Sequence, residues 1–227
     1  MINFTPMVNI DAYQDLLKAC KAKNVALVAV SKTKPVGDIL ELYDLGHRDF
    51  GENYVQELIE KEKQLPKDIR WHFIGHLQTN KVKQVIGFVH LIHGIDSLKL
   101  LKEIDKQSEK INKVTQCLLQ VHIAQEETKF GLDEKELEEM ITQLANEPIK
   151  SINVMGLMGM ASFTDNLPQV RSEFHYLKSL FDKCNKLLTV HRQLSTISMG
   201  MTADYAIAIE EGSNMIRVGS LIFGARD

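Results

Sequence analysis

The sequence predicts an α/β protein folded as a single (β/α)8 TIM barrel, and three observations carry that expectation. Short apolar runs alternate with longer amphipathic stretches along the chain, the pattern of a parallel sheet covered by helices. The runs number eight, at residues 25–33, 49–52, 71–74, 91–94, 116–124, 154–160, 194–199 and 215–218 of a 227-residue chain. Eight β/α repeats in a chain of that length fall within the usual range of this barrel. Finally, the first run ends in Ser31-Lys32-Thr33-Lys34-Pro35. A doubly wound sheet that binds dinucleotides usually carries a glycine-rich turn there instead.

The repeats can be justified in order. The first run is β-branched and apolar, and the stretch over 37–45 then keeps Ile39, Leu40 and Leu42 on one helical side. In 54–64 apolar residues alternate with Glu and Lys until Pro66 stops the pattern, and Glu60, Lys61, Glu62 and Lys63 read as the wet face of a helix. Asp133 and Glu136 form a capping-box signature for a helix over 137–144. A long amphipathic helix is expected over 170–188. Another over 203–211 ends at Gly212, a natural residue for the left-handed position that closes a helix. Met155, Met158 and Met160 of the sixth run read as core packing.

Composition narrows the function. At 44% hydrophobic and 25% charged, the chain is an ordinary globular protein, long enough to bury a sizeable core. With no linker or repeat to divide it, residues 1–227 are expected to form one domain. A net charge of -3 without a basic stripe argues against a nucleic-acid partner. Cys20, Cys117 and Cys184 are odd in number and form no CxxC pair, so neither a disulfide framework nor a zinc site is expected, and a reducing cytoplasm is the expected location. The N-terminus lacks the pattern of a signal peptide, and no run approaches the ~20 apolar residues of a membrane span. His72 and His76 are four apart, but Trp71-His72-Phe73-Ile74-Gly75-His76 reads as strand into turn. Hydrogen bonding or packing near the barrel mouth is expected of them, not a metal site.

In such a barrel, functional side chains collect where strands end and βα loops begin. Alternation along the first strand puts Val28, Val30 and Lys32 on one face. A lysine at the confined mouth loses hydration, its pKa falls, and its amine becomes able to form a Schiff base with an aldehyde. The ordinary alternative is a pair of lysines snorkelling to solvent, and parity does not separate Lys32 from Lys34. The far end of the chain adds a second feature. After the seventh and eighth runs come Ser198-Met199-Gly200-Met201-Thr202 and Gly219-Ser220, small loops where barrels commonly build a phosphate cup. Gly200 and Gly219 permit close backbone approach, while Ser198, Thr202 and Ser220 supply hydroxyls. An aldehyde-capturing lysine opposite a phosphate cup points to pyridoxal 5′-phosphate (PLP).

Taken together, AVSKTKP, FGENYVQE, WHFIGHLQTNK, ETKFGL, GLMGM, SMGMTADYAIAIEEGSNMIRVGS and IFGARD resemble the pyridoxal phosphate homeostasis protein family of the YggS type. The likeness runs in order over about 25–227. It implies a barrel similar to the N-terminal domain of alanine racemase, a fold-type III enzyme. It also implies that the first lysine of SKTKP, Lys32, carries the cofactor as a covalent Schiff base. Asn53 is implied at the cofactor face, and Ser198, Gly200, Met201, Gly219 and Ser220 at the phosphate. Arg217 is implied opposite the pyridine nitrogen, Lys129 in cofactor traffic, and Met158 within reach of the ring. Ser220 stands where threonine is common in such proteins, and keeps the hydroxyl. The family is regarded as a PLP carrier or regulator serving vitamin B6 and amino-acid balance, with no established turnover. The expected partners are the small-molecule cofactor and PLP-dependent apoenzymes as recipients, and a monomer is expected. The competing expectation is a true fold-type III enzyme, an amino-acid racemase or decarboxylase.

Overall fold

The computed structural model describes residues 8–126, 130–146, 149–189 and 193–225. Eight strands close into one barrel in chain order: β1 Ala26–Val30, β2 Asp49–Glu52, β3 Arg70–Phe73, β4 Leu91–Ile95, β5 Thr115–Val121, β6 Ile152–Gly159, β7 Thr196–Ser198 and β8 Met215–Val218. Every pairing is parallel, and β1 closes on β8 through Ala26↔Met215 to Ala29↔Val218. Parallel strands all end on the same face, so every βα loop opens at one mouth.

The runs read from the sequence correspond to these strands to within about three residues at either end, some strands being shorter and β4 and β6 longer. The first run was expected to reach residue 33, yet β1 stops at Val30 and Lys32 lies in the turn beyond it. Helices follow the local signals. The capping box is made as expected, with Asp133 N–H donating to Glu136 Oε2 at 3.0 Å and Glu136 N–H to Asp133 Oδ1 at 2.8 Å. It starts the helix Glu134–Asn146, while the long helix Leu167–Leu187 runs behind an Asn166 cap. One helix expected from residue 203 begins two residues later, as Tyr205–Glu210, because Thr202–Asp204 form a separate turn; Gly212 then sits at φ +100° as expected. Among the described residues four α-helices had no counterpart in the expectation, the short Val82–Val85 and Ser220–Phe223 and two longer ones. Ile10–Ala22 turns Tyr13, Leu16 and Cys20 inward, and Leu98–Lys110 is capped by Ser97.

The core has two parts. A large apolar layer lies between sheet and helices, with Phe50, Phe73, Ile92, Leu119, Leu157, Phe174 and Leu177 among its buried members. Inside the barrel, Leu91, Leu118 and Met158 form a small cluster flanked by Met155, Met160 and Met215. The methionines therefore pack the core, as their spacing suggested. Much of the remaining interior is polar, and it supports the mouth. Among the described residues no helix is long and apolar enough to cross a membrane.

Gly156 shows how closely the barrel is packed. A Cβ at this position would run into the carbonyl oxygen of Thr196 on β7, whereas one at Gly37 would meet nothing within 4 Å. Gly156→Ala should force the two strands apart and cost about 3 kcal/mol in urea unfolding. Gly37→Ala, within a helix, should gain about 0.5–1 kcal/mol in the same measurement.

Candidate functional site

Lys32 occupies a turn at the mouth that begins as β1 ends. Lys34 N–H donates to Ser31 O at 3.0 Å, closing a β-turn whose central residues are Lys32 and Thr33. Thr33 has φ +64°, a left-handed conformation; among the described residues the other two non-glycine cases are asparagines. A β-branched residue held there costs on the order of 1–3 kcal/mol, so its surroundings must impose it.

Those surroundings include a buried ion cluster. The Lys61 ammonium donates to Ser31 O at 2.8 Å, Glu52 Oε1 at 2.8 Å and Glu57 Oε1 at 2.7 Å. Ser31 Oγ also donates to Glu52 Oε1, at 2.5 Å. Lys61 had been assigned to the wet face of its helix. It is instead 5% exposed, while Lys63 of the same run pairs with Glu60 at the surface. Burial pushes the Glu52 carboxyl above its usual range, although Lys61 pulls the other way.

The adjoining part of the rim is formed by the β7 and β8 loops, since β8 pairs with β1. Gly219 lies so close to β1 that a Cβ there would sit 3.0 Å from Val30 O, bringing the Gly219–Ser220 loop against the strand that leads to Lys32. Gly200 has φ +99°, and a side chain there would collide with Ala208 Cβ. Met201 N–H is taken by Asp204 Oδ1 at 2.6 Å. Asp204 is thus part of the loop's own turn, just before the six-residue helix Tyr205–Glu210. Asn53 lies just past β2, its Oδ1 buried without a hydrogen-bond partner. That orphaned acceptor beside the lysine turn is a place for a ligand group to be satisfied. Lys129 lies outside the described residues.

Beneath the mouth lies Arg217, 4% exposed. Its Nη1 donates to Ser198 O at 2.8 Å and Ser198 Oγ at 2.6 Å, and its Nη2 to Gly159 O at 3.1 Å. Burial lowers its pKa to about 10, with Asp204 opposing the shift, and at neutral pH it stays charged. The Ser198 hydroxyl, expected at the phosphate, is here fully buried and held by Arg217.

From Ser198 a hydrogen-bond chain crosses the barrel interior. Ser198 Oγ lies 3.3 Å from His93 Nδ1, His93 Nε2 lies 2.9 Å from His72 Nδ1, and His72 Nε2 lies 3.1 Å from Asp49 Oδ1. Asp49 in turn accepts from Arg70 Nε at 2.6 Å. The two ends assign the protons between them. Arginine can only donate, so the Ser198 proton goes to His93 Nδ1. Neutral His93 then donates from Nε2 to His72, and His72 donates from Nε2 to Asp49. Burial holds His93 well below 6.5 and keeps it neutral. Burial would raise the Asp49 carboxyl, but hydrogen bonds from Arg70 and His72 outweigh it and hold Asp49 well below the usual range.

His72 belongs to this interior chain and not to the mouth. His76 does reach the mouth, where it bonds Asp96 Oδ2 at 2.9 Å and stacks on Phe130 with ring centroids 4.6 Å apart. No cluster of three or more metal-ligating side chains occurs among the described residues. Sequence reasoning missed Asp49, His93 and Lys61 as site components. A histidine inside the apolar stretch Leu91-Ile92-His93-Gly94-Ile95 was the available signal for the chain. Lys61 offered none, because its neighbours are charged.

Known proteins match this chain throughout. A family model described as the alanine racemase N-terminal domain covers residues 8–227. A pyridoxal phosphate homeostasis protein of Aquifex aeolicus (strain VF5) is 40% identical over 215 residues, 92% of this chain and 92% of its own. Among solved structures, PipY of Synechococcus elongatus PCC7942, with PLP bound, aligns at a TM-score of 0.82 and 30% identity, covering 92% of this chain and 99% of that one. An alanine racemase of Clostridium difficile 630 aligns over 94% of this chain and 56% of its own, at a TM-score of 0.72 and 13% identity, a likeness of fold alone.

The neutral state of His93 makes stability depend on pH. The ordinary histidine value is 6.5, and burial lowers that of the folded protein, so below 6.5 the unfolded chain binds a proton that the folded chain refuses. Stability from this residue is therefore complete above pH 6.5 and declines as pH falls, by about 1.4 kcal/mol per unit. His47 and His90, also depressed by burial, add to the slope. Urea unfolding between about pH 7 and pH 5 should show the decline, and His93→Gln should remove about one proton's share of it.

Proposed function

The chain belongs to the pyridoxal phosphate homeostasis proteins, built on the alanine racemase N-terminal domain, and on that premise we propose that it binds PLP at the barrel mouth and holds it as a Schiff base on Lys32. The observation that carries this reading is the approach of Gly219 to Val30, which sets the Gly219–Ser220 loop against the strand end leading to the Lys32 turn. Bound PLP would supply an aldehyde for the amine, a phosphate and an electron-accepting ring. In this reading Gly219 and Ser220 grip the phosphate, and the backbone at Gly200 and Met201 lines the same cup. Asn53, with its orphaned oxygen, meets a polar group on the ring. Arg217 faces the pyridine nitrogen, and Ser198 steadies Arg217 and reaches the phosphate by turning its hydroxyl proton away from His93 Nδ1. Lys129 serves cofactor traffic, and Met158 packs beneath the ring.

The names of the relatives support a role in PLP homeostasis; beyond those names, our reading is of a carrier or regulator in vitamin B6 and amino-acid balance, acting as a monomer and serving PLP-dependent apoenzymes. Arg217 agrees with slow chemistry. A charged guanidinium donates a hydrogen bond and disfavours a proton on the ring nitrogen, and an unprotonated ring is the poorer sink for a carbanion.

The purified chain should take up PLP with a Schiff-base absorbance band, and borohydride reduction with peptide mapping should place the adduct on Lys32. An adduct chiefly on Lys34 would overturn the assignment. Pyridoxal, which lacks the phosphate, should bind more weakly by about ten- to hundredfold for each charge-assisted hydrogen bond lost, or about 1.5–3 kcal/mol apiece. Asp204→Asn should leave PLP affinity intact or improve it, because it removes a negative charge beside the cup. Loaded protein incubated with single-enantiomer amino acids in deuterated water should exchange α-protons negligibly. Turnover of roughly 1 per second or more would promote the racemase or decarboxylase alternative.

A further inference from the structure

The turn carrying Lys32 is strained, and the restraint comes from the helix Val55–Gln64. Thr33 N–H donates at 2.6 Å to Glu57 Oε1, the same oxygen that receives the Lys61 ammonium at 2.7 Å. An ammonium has three donors, and here all three are used: Ser31 O and Glu52 Oε1 take the other two. A lysine is buried this completely only when every donor is matched, since a misplaced charge in the interior is heavily penalised. The geometry is therefore rigid. It holds Glu57 where its carboxylate reaches the Thr33 amide, while the Lys34 ammonium pins the far side of the turn to Ala225 O at 2.9 Å. Positive φ at the second central residue, Thr33, is the signature of a type II turn, which favours glycine or asparagine there. Without the Glu57 contact, the relaxed alternative is a flip of the Lys32–Thr33 peptide towards the type I form, and the flip would redirect the Lys32 side chain.

We propose that Glu57 and Lys61 are positioning residues for Lys32, clamping its turn in the left-handed form so that the amine is presented to the mouth. This rests on the reading of Lys32 as the cofactor lysine, and it adds what holds that lysine in place. Neither residue need touch the cofactor.

The test uses the full chain with Glu57→Ala, Thr33→Gly and the double variant. Glu57 is partly exposed, with 23% of its side-chain surface open to solvent, and melting curves establish that each variant folds. Lys61→Met is the poorer probe, because it strands the buried Glu52 carboxylate. In the cofactor-free protein, amide exchange in the peptide covering the turn should accelerate about tenfold in Glu57→Ala, the scale of a lost charge-assisted hydrogen bond. Formation of the Lys32 Schiff base with added PLP, read by absorbance, should weaken about tenfold. Thr33→Gly accepts positive φ without penalty. Adding it to Glu57→Ala should restore capture to within about threefold of Thr33→Gly alone, a rescue that a purely structural role for Glu57 would not show. Unchanged exchange in Glu57→Ala overturns the clamp, and so does a capture defect that Thr33→Gly leaves untouched. If exchange accelerates while the native chain forms its adduct on another lysine, the clamp is upheld and the cofactor assignment fails.

Discussion

A guanidinium sealed inside a closed sheet is the constraint around which the rest of this barrel is organised. Taking an ion out of water costs several kcal/mol unless its donors are met. Arg217 answers that cost with three hydrogen bonds to Ser198 and Gly159, joining β6, β7 and β8. Ser198, once committed to Arg217, has a single proton left, and that proton orders the chain through His93 and His72 to Asp49. A polar layer thus runs from β8 back to β2, with Leu91, Leu118 and Met158 as the apolar filling beside it. Because each link is either donor-only, acceptor-only or neutral, the layer has one proton arrangement, and one arrangement makes a rigid floor.

Lys61 repeats the solution beside it, at the ends of β1 and β2. It too is buried, and it too binds three acceptors from separate parts of the chain: the end of β1, the end of β2 and a helix. The two cations hold neighbouring sectors of the barrel, because β8 pairs with β1. Where they adjoin, Gly219 and Val30 approach closely enough that a Cβ on Gly219 would sit 3.0 Å from the Val30 carbonyl oxygen. The site therefore owes its form to buried charge more than to the loops that line it. The loops themselves are short turns, and two of their residues, Thr33 and Gly200, take left-handed conformations to fit.

Much of this was legible in local pattern. Strand and helix periodicity, the Asp133–Glu136 capping box and Gly212 are signals carried within a few residues, so the barrel and most of its elements followed from them. The strand-end rule likewise placed Lys32, Gly200 and Gly219 on one face, because parallel strands share a direction; Asn53 came only from the family resemblance. What misled was also local. The run Glu60-Lys61-Glu62-Lys63 has the alternation of a solvated helix face, and nothing nearby marks its second residue as different.

By itself, then, the sequence determined the fold class and the family to which the chain belongs, since each depends on periodicity or on contiguous motifs. Tertiary structure alone decided which charges are buried and which partners they find. Lys61 meets Ser31 across 30 residues, and Ser198 meets His93 across 105. Such pairs exist only once the sheet has closed. The reason is physical: the cost of a buried polar group, and therefore its choice of partner, is set by the water that closure removes, and no local stretch of chain records it.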